Sequence, residues 1–154
     1  MPHTFYGMDS DAVREKVKPV SEQFACIGSP QELFRVLLQC WSAETCAPRL
    51  RDGWSGEDPT RGQCSVTAFL AQDVFGGNVF GILREGGNYH CYNVVGDCVF
   101  DLTDEQFGGE KLDYSAGTEQ QRETHFAREE KRLRYELLRE RLLAYCRKAE
   151  GSNV

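Results

Sequence analysis

Gly62-Gln63-Cys64-Ser65-Val66-Thr67-Ala68 opens a helical pattern, and Tyr89-His90-Cys91-Tyr92 and Val99-Phe100-Asp101-Leu102-Thr103 follow in segments that read as paired strands. Cysteine at a helix start, then a strand histidine, then a strand aspartate is the order a thiol nucleophile requires. Unpaired backbone N–H groups and the helix dipole stabilise a thiolate at a helix N-terminus. A neighbouring imidazole takes the thiol proton, and a carboxylate orients that imidazole. The sequence therefore casts Cys64 as nucleophile, His90 as general base and then acid, and Asp101 as the group that fixes the His90 tautomer. The implied chemistry is acyl transfer through a thioester: amide or ester hydrolysis, or transfer to an amine.

Outward from Cys64, Val66, Phe69, Leu70 and Val74 trace one apolar face of a helix over Gln63 to Phe75, with Ala68 and Ala71 permitting close packing. Gly76-Gly77 ends it as a C-cap. Three short strands are expected at about 78–85, 88–95 and 98–103, separated by Gly86-Gly87 and Gly96-Asp97. A two-residue turn at Gly96-Asp97 pairs Val95 with Cys98 and places Tyr92 opposite Asp101. In that register His90, Tyr92, Val94, Val99, Asp101 and Thr103 share one face, and His90 and Asp101 become diagonal neighbours.

Upstream, Asp9 to Val17 reads as a short helix stopped by Pro19. Ser29-Pro30-Gln31-Glu32 is a helix start with Ser29 as N-cap, Pro30 at the first position and Glu32 completing a capping box. Leu33, Val36, Leu37 and Cys40 then follow at helical spacing as far as Trp41. Residues 42–62, punctuated by Pro48, Gly53, Gly56, Pro59 and Gly62, read as a long loop before the nucleophile. Downstream, Thr118 and Gln121 suit a second capping box. Phe126, Leu133, Leu137, Leu138, Leu142 and Tyr145 form a narrow stripe on a charged helix over about 119–149. The expected architecture is a single α+β domain over 1–154. Its core lies at about 29–107: a nucleophile-bearing helix packed on a small antiparallel sheet. The C-terminal amphipathic helix packs on the domain or serves an oligomer.

The 154 residues carry a net charge of −6, which disfavours nucleic acid as a partner. No apolar run approaches the roughly 20 residues of a membrane span. Met1-Pro2-His3-Thr4-Phe5-Tyr6 lacks a signal-peptide pattern, so the expected location is cytoplasmic. Seven cysteines, an odd number without a CxxC pair, read as free thiols, mostly small core residues. His90, Cys91 and Cys98 do not have zinc-site spacing. No metal or cofactor is implied, and the partner class is a small-molecule or peptide substrate. His3 falls at a fraying end, and His125 in the charged helix reads as solvated. The oxyanion donors are the Cys64 N–H and one of Gln63, Ser42 or the indoles of Trp41 and Trp54.

Gly62-Gln63-Cys64 with Ala68, then His90, then Asp101-Leu102-Thr103, resembles the G-x-C, H, D-x-T pattern of the transglutaminase/papain-like thiol fold, over roughly the middle third of the chain. A broader match, over most of residues 36–107, is to the YunG-like family of small bacterial proteins. It is carried by Trp41-Ser42-Ala43-Glu44-Thr45, Trp54, Asp58-Pro59-Thr60, Gly62 to Ala68, Gly76-Gly77, His90, Asn93 and Asp101 to Phe107. That resemblance implies a fold and a site rather than a reaction. It points to Trp41, Ser42, Glu44, Thr45 and Gln106 as pocket residues, against the plainer readings of core anchor, loop caps and turn residue. The chain lacks the flanking domains and calcium loop of large transglutaminases, so calcium-dependent crosslinking is not expected. Two other functions compete with a thiol enzyme. One is a non-catalytic binding module with Trp41, Trp54 and Gln106 lining a cleft. The other is an interaction protein working through its terminal helix.

Overall fold

The computed structural model describes residues 2–151. Its centre is a helix, α3 (Cys64–Phe75), with eight of its twelve residues buried, among them Val66, Phe69, Leu70 and Val74. The sequence pattern predicts one apolar face. The helix is instead covered on opposite sides, by strand β2 (Tyr89–Val95) and by the long helix α5 (Glu129–Gly151). Thr67, which lies off the predicted apolar face, is buried for that reason, as is Ala68, where close packing is expected.

Two helices precede it. α1 (Asp11–Lys16) is capped by the Ser10 hydroxyl. α2 (Pro30–Cys40) has Ser29 as its N-cap, the hydroxyl accepting from the Glu32 N–H at 3.2 Å. The Glu32 carboxylate reaches one residue beyond the expected capping box and accepts from the Gly28 N–H at 2.7 Å. The segment before α3 is not wholly irregular, since Pro48–Gly53 forms 3-10 turns. It closes on Gly62, whose φ of +69° and contact with the Cys46 sulfur and Ala47 nitrogen leave no room for a side chain.

The sheet is antiparallel in the order β3-β2-β1-β4, with β1 at Asn78–Leu83, β3 at Cys98–Phe100 and β4 at Thr118–Glu119. The Gly96-Asp97 hairpin pairs Val95 with Cys98 and Asn93 with Phe100. Beyond Phe100 the ladder changes partner: Asp101 exchanges backbone hydrogen bonds with Tyr6, at 3.0 and 3.2 Å. His3 is tied in nearby by an ion pair to Glu105 at 2.5 Å, so residues 3–6 do not fray.

The C-terminal region departs most from expectation. Thr118 does not cap a helix, because Thr118–Glu119 pairs with Phe80–Gly81 as an edge strand. The predicted single helix is split into α4 (Arg122–Phe126), whose N-cap Gln121 makes no side-chain cap, and α5. Of the expected stripe, Leu138 and Leu142 are buried in the core shared with α2 and α3, joined there by Leu143; Phe126 and Leu137 are partly covered, and Leu133 and Tyr145 stay exposed. Arg134 reaches the Thr45 carbonyl at 3.0 Å, and Arg141 the Cys40 carbonyl at 2.7 Å and the Ser42 hydroxyl at 2.9 Å. No helix among the described residues is long and apolar enough to cross a membrane.

The free-thiol expectation fails for two cysteines. Cys26 and Cys146 form a disulfide across 120 residues, with Cα atoms 5.8 Å apart. Spacing in the sequence carries no trace of this, because the pairing exists only once α5 lies against the segment before α2. A loop of that length gives a chain-entropy stabilisation of about 4–5 kcal/mol, of which real disulfides commonly deliver roughly 2–4. Reduction, or Cys26→Ser, is expected to lower the thermal midpoint by several degrees in a melt followed by circular dichroism. An unchanged midpoint would show that the crosslink contributes nothing.

Candidate active site

Cys64 is the first residue of α3, and no side chain caps that helix. Its leading amides therefore stay free to receive negative charge. The thiol is partly exposed, and its sulfur lies 3.8 Å from the Tyr89 carbonyl oxygen, which sets it at the start of β2. His90 and Cys91 flank it there, both buried.

His90 donates from Nε2 to Asp101 Oδ2 at 2.6 Å, with both side chains essentially out of solvent. The other ring nitrogen, Nδ1, is buried without a hydrogen-bond partner. Phe107 meets the ring edge-on, with centroids 4.6 Å apart, and closes off one side. Asp101 is held in turn: Oδ1 accepts from the Thr103 N–H at 3.1 Å, and Oδ2 also accepts from the Tyr114 hydroxyl at 2.8 Å. Asp101 thus fills the turn-capping role and the histidine-orienting role together.

The proton affinities follow from this arrangement. Burial opposes charge on His90, but the bond to Asp101 and the adjacent Cys64 outweigh it and push the imidazole up to about 10. Cys64 is lowered well below an ordinary thiol, first by hydrogen bonding from Cys91 and then, against its own burial, by His90. Cys91 moves the opposite way, raised by its bond to Cys64 and by burial. Cys64 and His90 thus favour thiolate and imidazolium.

The proposed pocket residues are mostly engaged elsewhere. The Trp41 indole donates to Thr67 at 2.9 Å in the core, and the Trp54 indole to the Pro59 carbonyl at 2.9 Å. Gln63 is fully buried, with its amide nitrogen donating to the Ser42 carbonyl at 3.0 Å. The Ser42 hydroxyl accepts from Glu44 and Arg141, Thr45 caps the Ser42 turn, and Glu44 is exposed and ion-paired with Arg141 at 3.5 Å. None of these side chains presents a free donor to the thiol. Gln106 does approach the site: its oxygen accepts from the Gly62 N–H at 3.3 Å while its nitrogen donates to the Thr103 carbonyl at 2.9 Å. It ties the loop before the nucleophile to the segment after Asp101.

Two residues belong to this region that the sequence reading missed or misplaced. Tyr114 opens a short 3-10 turn in a segment without sequence periodicity, and its packing against Tyr6 and Tyr92, with the Tyr92 hydroxyl donating to its carbonyl at 2.7 Å, brings it to Asp101. His125 is buried rather than solvated, tilted over Phe69 at 4.8 Å with Nε2 unpartnered. Burial, then Lys131 and Arg134, pushes it down to about 4, so it is neutral near neutral pH. Among the described residues no group of His, Cys, Asp and Glu is arranged to hold a metal ion.

The family model described as YunG protein matches residues 29–147, a span that contains α2, the whole sheet, the thiol, the imidazole and the carboxylate. The Uncharacterized protein YunG of Bacillus subtilis (strain 168) is 40% identical over 72 residues, which is 47% of this chain and 57% of that protein. The chain therefore spans little more than half of that relative's length. No solved structure matches significantly. By the extent of the family match, the chain belongs to the YunG family.

Proposed function

We propose that this chain is a thiol-dependent hydrolase or acyltransferase acting on an amide or ester, with Cys64, His90 and Asp101 as its triad and an arrangement of the transglutaminase/papain-like kind. One observation carries the reading: a buried imidazole is anchored on a carboxylate through Nε2 and keeps Nδ1 unpartnered, and a thiol at an uncapped helix start is near enough to share charge with that ring. In this mechanism the Cys64 thiolate attacks the carbonyl carbon, and the Cys64 N–H with the next amide of α3 receives the oxyanion. His90 protonates the leaving amine or alcohol, then takes a proton from the water or amine that resolves the thioester. Asp101 keeps the ring in place and favours its charged form.

The surroundings bear on the substrate. Two hollows lie away from the thiol, one lined by Tyr6, Ser10, Val13 and Cys98 and another by Cys26, Val36 and Tyr145. Cys64 sits beside the exposed Leu83–Tyr89 pair at the end of the β1–β2 ladder. An open apolar lip suits a peptide or a protein side-chain amide better than a small molecule that needs enclosure.

The test is alkylation with iodoacetamide, read residue by residue by mass spectrometry. Cys64 is expected to react at pH 6.5 far faster than Cys40 and Cys46, whose thiols burial pushes up. The imidazolium is present below its ordinary value and is lost only as pH rises through about 10, and the thiolate is lost only as pH falls through its lowered value. The rate should therefore rise much less steeply towards pH 9 than that of a free thiol of pKa ~8.5. His90→Ala is expected to cut the pH 6.5 rate by at least about tenfold. The thiolate fraction falls to ~1% for a free thiol, partly offset by the greater nucleophilicity of a more basic thiolate. A Cys64 rate equal to that of the buried thiols, unaffected by His90→Ala, would end the proposal.

Tyr114 gives a separate prediction. Its hydroxyl shares Oδ2 with the His90 ring and draws charge from it. Tyr114→Phe should raise the His90 titration further, read by NMR of the ring protons, while the pH 6.5 alkylation rate stays close to the parent's. An unmoved His90 titration would mean that the hydroxyl only fills space.

A further inference from the structure

We propose that Cys64 and Cys91 form a reversible dithiol–disulfide pair, in which hydrogen peroxide oxidises Cys64 and Cys91 resolves the product into an intramolecular disulfide. The proposal shares the activated thiolate with the reading above but does not depend on acyl transfer.

The geometry comes from how α3 lies along β2. Two contacts fix the register: Cys64 Sγ to the Tyr89 carbonyl at 3.8 Å, and Asn93 Nδ2 to the Ala68 carbonyl at 2.8 Å. Helix and strand therefore run in the same direction, and Cys91 lies between the two anchor points. Its side chain is on the face turned to α3, because it packs with Ala68 and Phe69 in one small cluster. Cys64 precedes Ala68 by one helical turn, so it projects from the same side of α3. Both sulfurs are reduced in the structure. Cys64 is partly exposed, whereas Cys91 is buried beneath it.

The division of labour follows. A low-affinity, accessible thiolate is the form that peroxide attacks, and a second thiol behind it is the usual resolving partner. The Cys64 thiolate attacks one peroxide oxygen, the O–O bond breaks, and the departing hydroxide takes the His90 ring proton and leaves as water. Cys64 is then a sulfenic acid. The Cys91 sulfur attacks it, the S–S bond forms as the S–O bond breaks, and the hydroxide leaves as water with the Cys91 proton. Two thiols and one peroxide give one disulfide and two waters. Cys91 is held protonated chiefly by the Cys64 thiolate, while Lys131 acts in the opposite sense. Once Cys64 is oxidised and uncharged, the largest part of that restraint is lifted, while burial still opposes the Cys91 thiolate. The product blocks the nucleophile without the irreversible loss that sulfinic acid entails.

The experiment treats the reduced full-length chain with hydrogen peroxide, blocks remaining thiols under denaturing conditions, and maps the peptides by mass spectrometry. The expected product is a Cys64–Cys91 crosslinked peptide lighter by two hydrogens, with Cys64 labelling restored by dithiothreitol. In Cys91→Ala, Cys64 is expected to run on to sulfinic acid and to lose its recovery. A thermal midpoint in that variant close to the parent's, followed by circular dichroism, shows that its fold is intact. Cys64 found as sulfinic acid in the parent with Cys91 still free, or linked to another cysteine, would overturn the inference, as would full recovery in Cys91→Ala. Rapid alkylation of Cys64 without the crosslink removes this inference alone. A Cys64 inert to both reagents removes the acyl-transfer reading with it.

Discussion

The bond between His90 Nε2 and Asp101 Oδ2, 2.6 Å long and hidden from water, is the constraint around which the site is arranged. An imidazolium in such a place would cost several kcal/mol if left alone. Asp101 supplies the counter-charge and is itself kept in position by Thr103 and Tyr114. Gln106 then ties that segment to the loop before Cys64. The thiol takes its electrostatics first from the Cys91 hydrogen bond and then from this chain of contacts. A carboxylate buried among three donors holds a ring, and the ring favours the sulfur's anion.

Much of this was legible in the sequence because the rules involved are local. The helix period and the Gly76 stop bounded α3, and Ser29-Pro30 bounded α2. The Gly96-Asp97 turn set a register that carries His90 and Asp101 to one face. What could not be read depends on contacts between distant segments. The indoles of Trp41 and Trp54 look like available donors until the fold supplies Thr67 and the Pro59 carbonyl as their acceptors. Tyr114 has no periodic context to point it at Asp101. The charged run after residue 118 reads as one amphipathic helix because its composition is uniform. Pairing of Thr118–Glu119 with β1 removes its expected start, the helix is interrupted at Ala127–Arg128, and docking of α4 on Phe69 buries His125.

The two histidines nearest the thiol carry opposite charge states, and their surroundings account for it. His90 faces a carboxylate and a thiolate and holds its proton to about pH 10. His125 lies over an aromatic ring, with Lys131, Arg134 and Arg122 near it, and holds no second proton above about pH 4. One ring can carry protons during a reaction near neutrality. The other contributes a neutral, flat wall on the side of α4. The residue type alone would have made them equivalent.

The backbone bridge between Tyr6 and Asp101 has a practical corollary. Residues 3–6 form the outer splint of the strand that carries the carboxylate, with the Tyr6 ring stacked on Tyr114 at 4.3 Å. A change within residues 3–6 therefore acts on the strand that holds the carboxylate, and through it on the imidazole, although none of these residues touches the thiol chemistry itself.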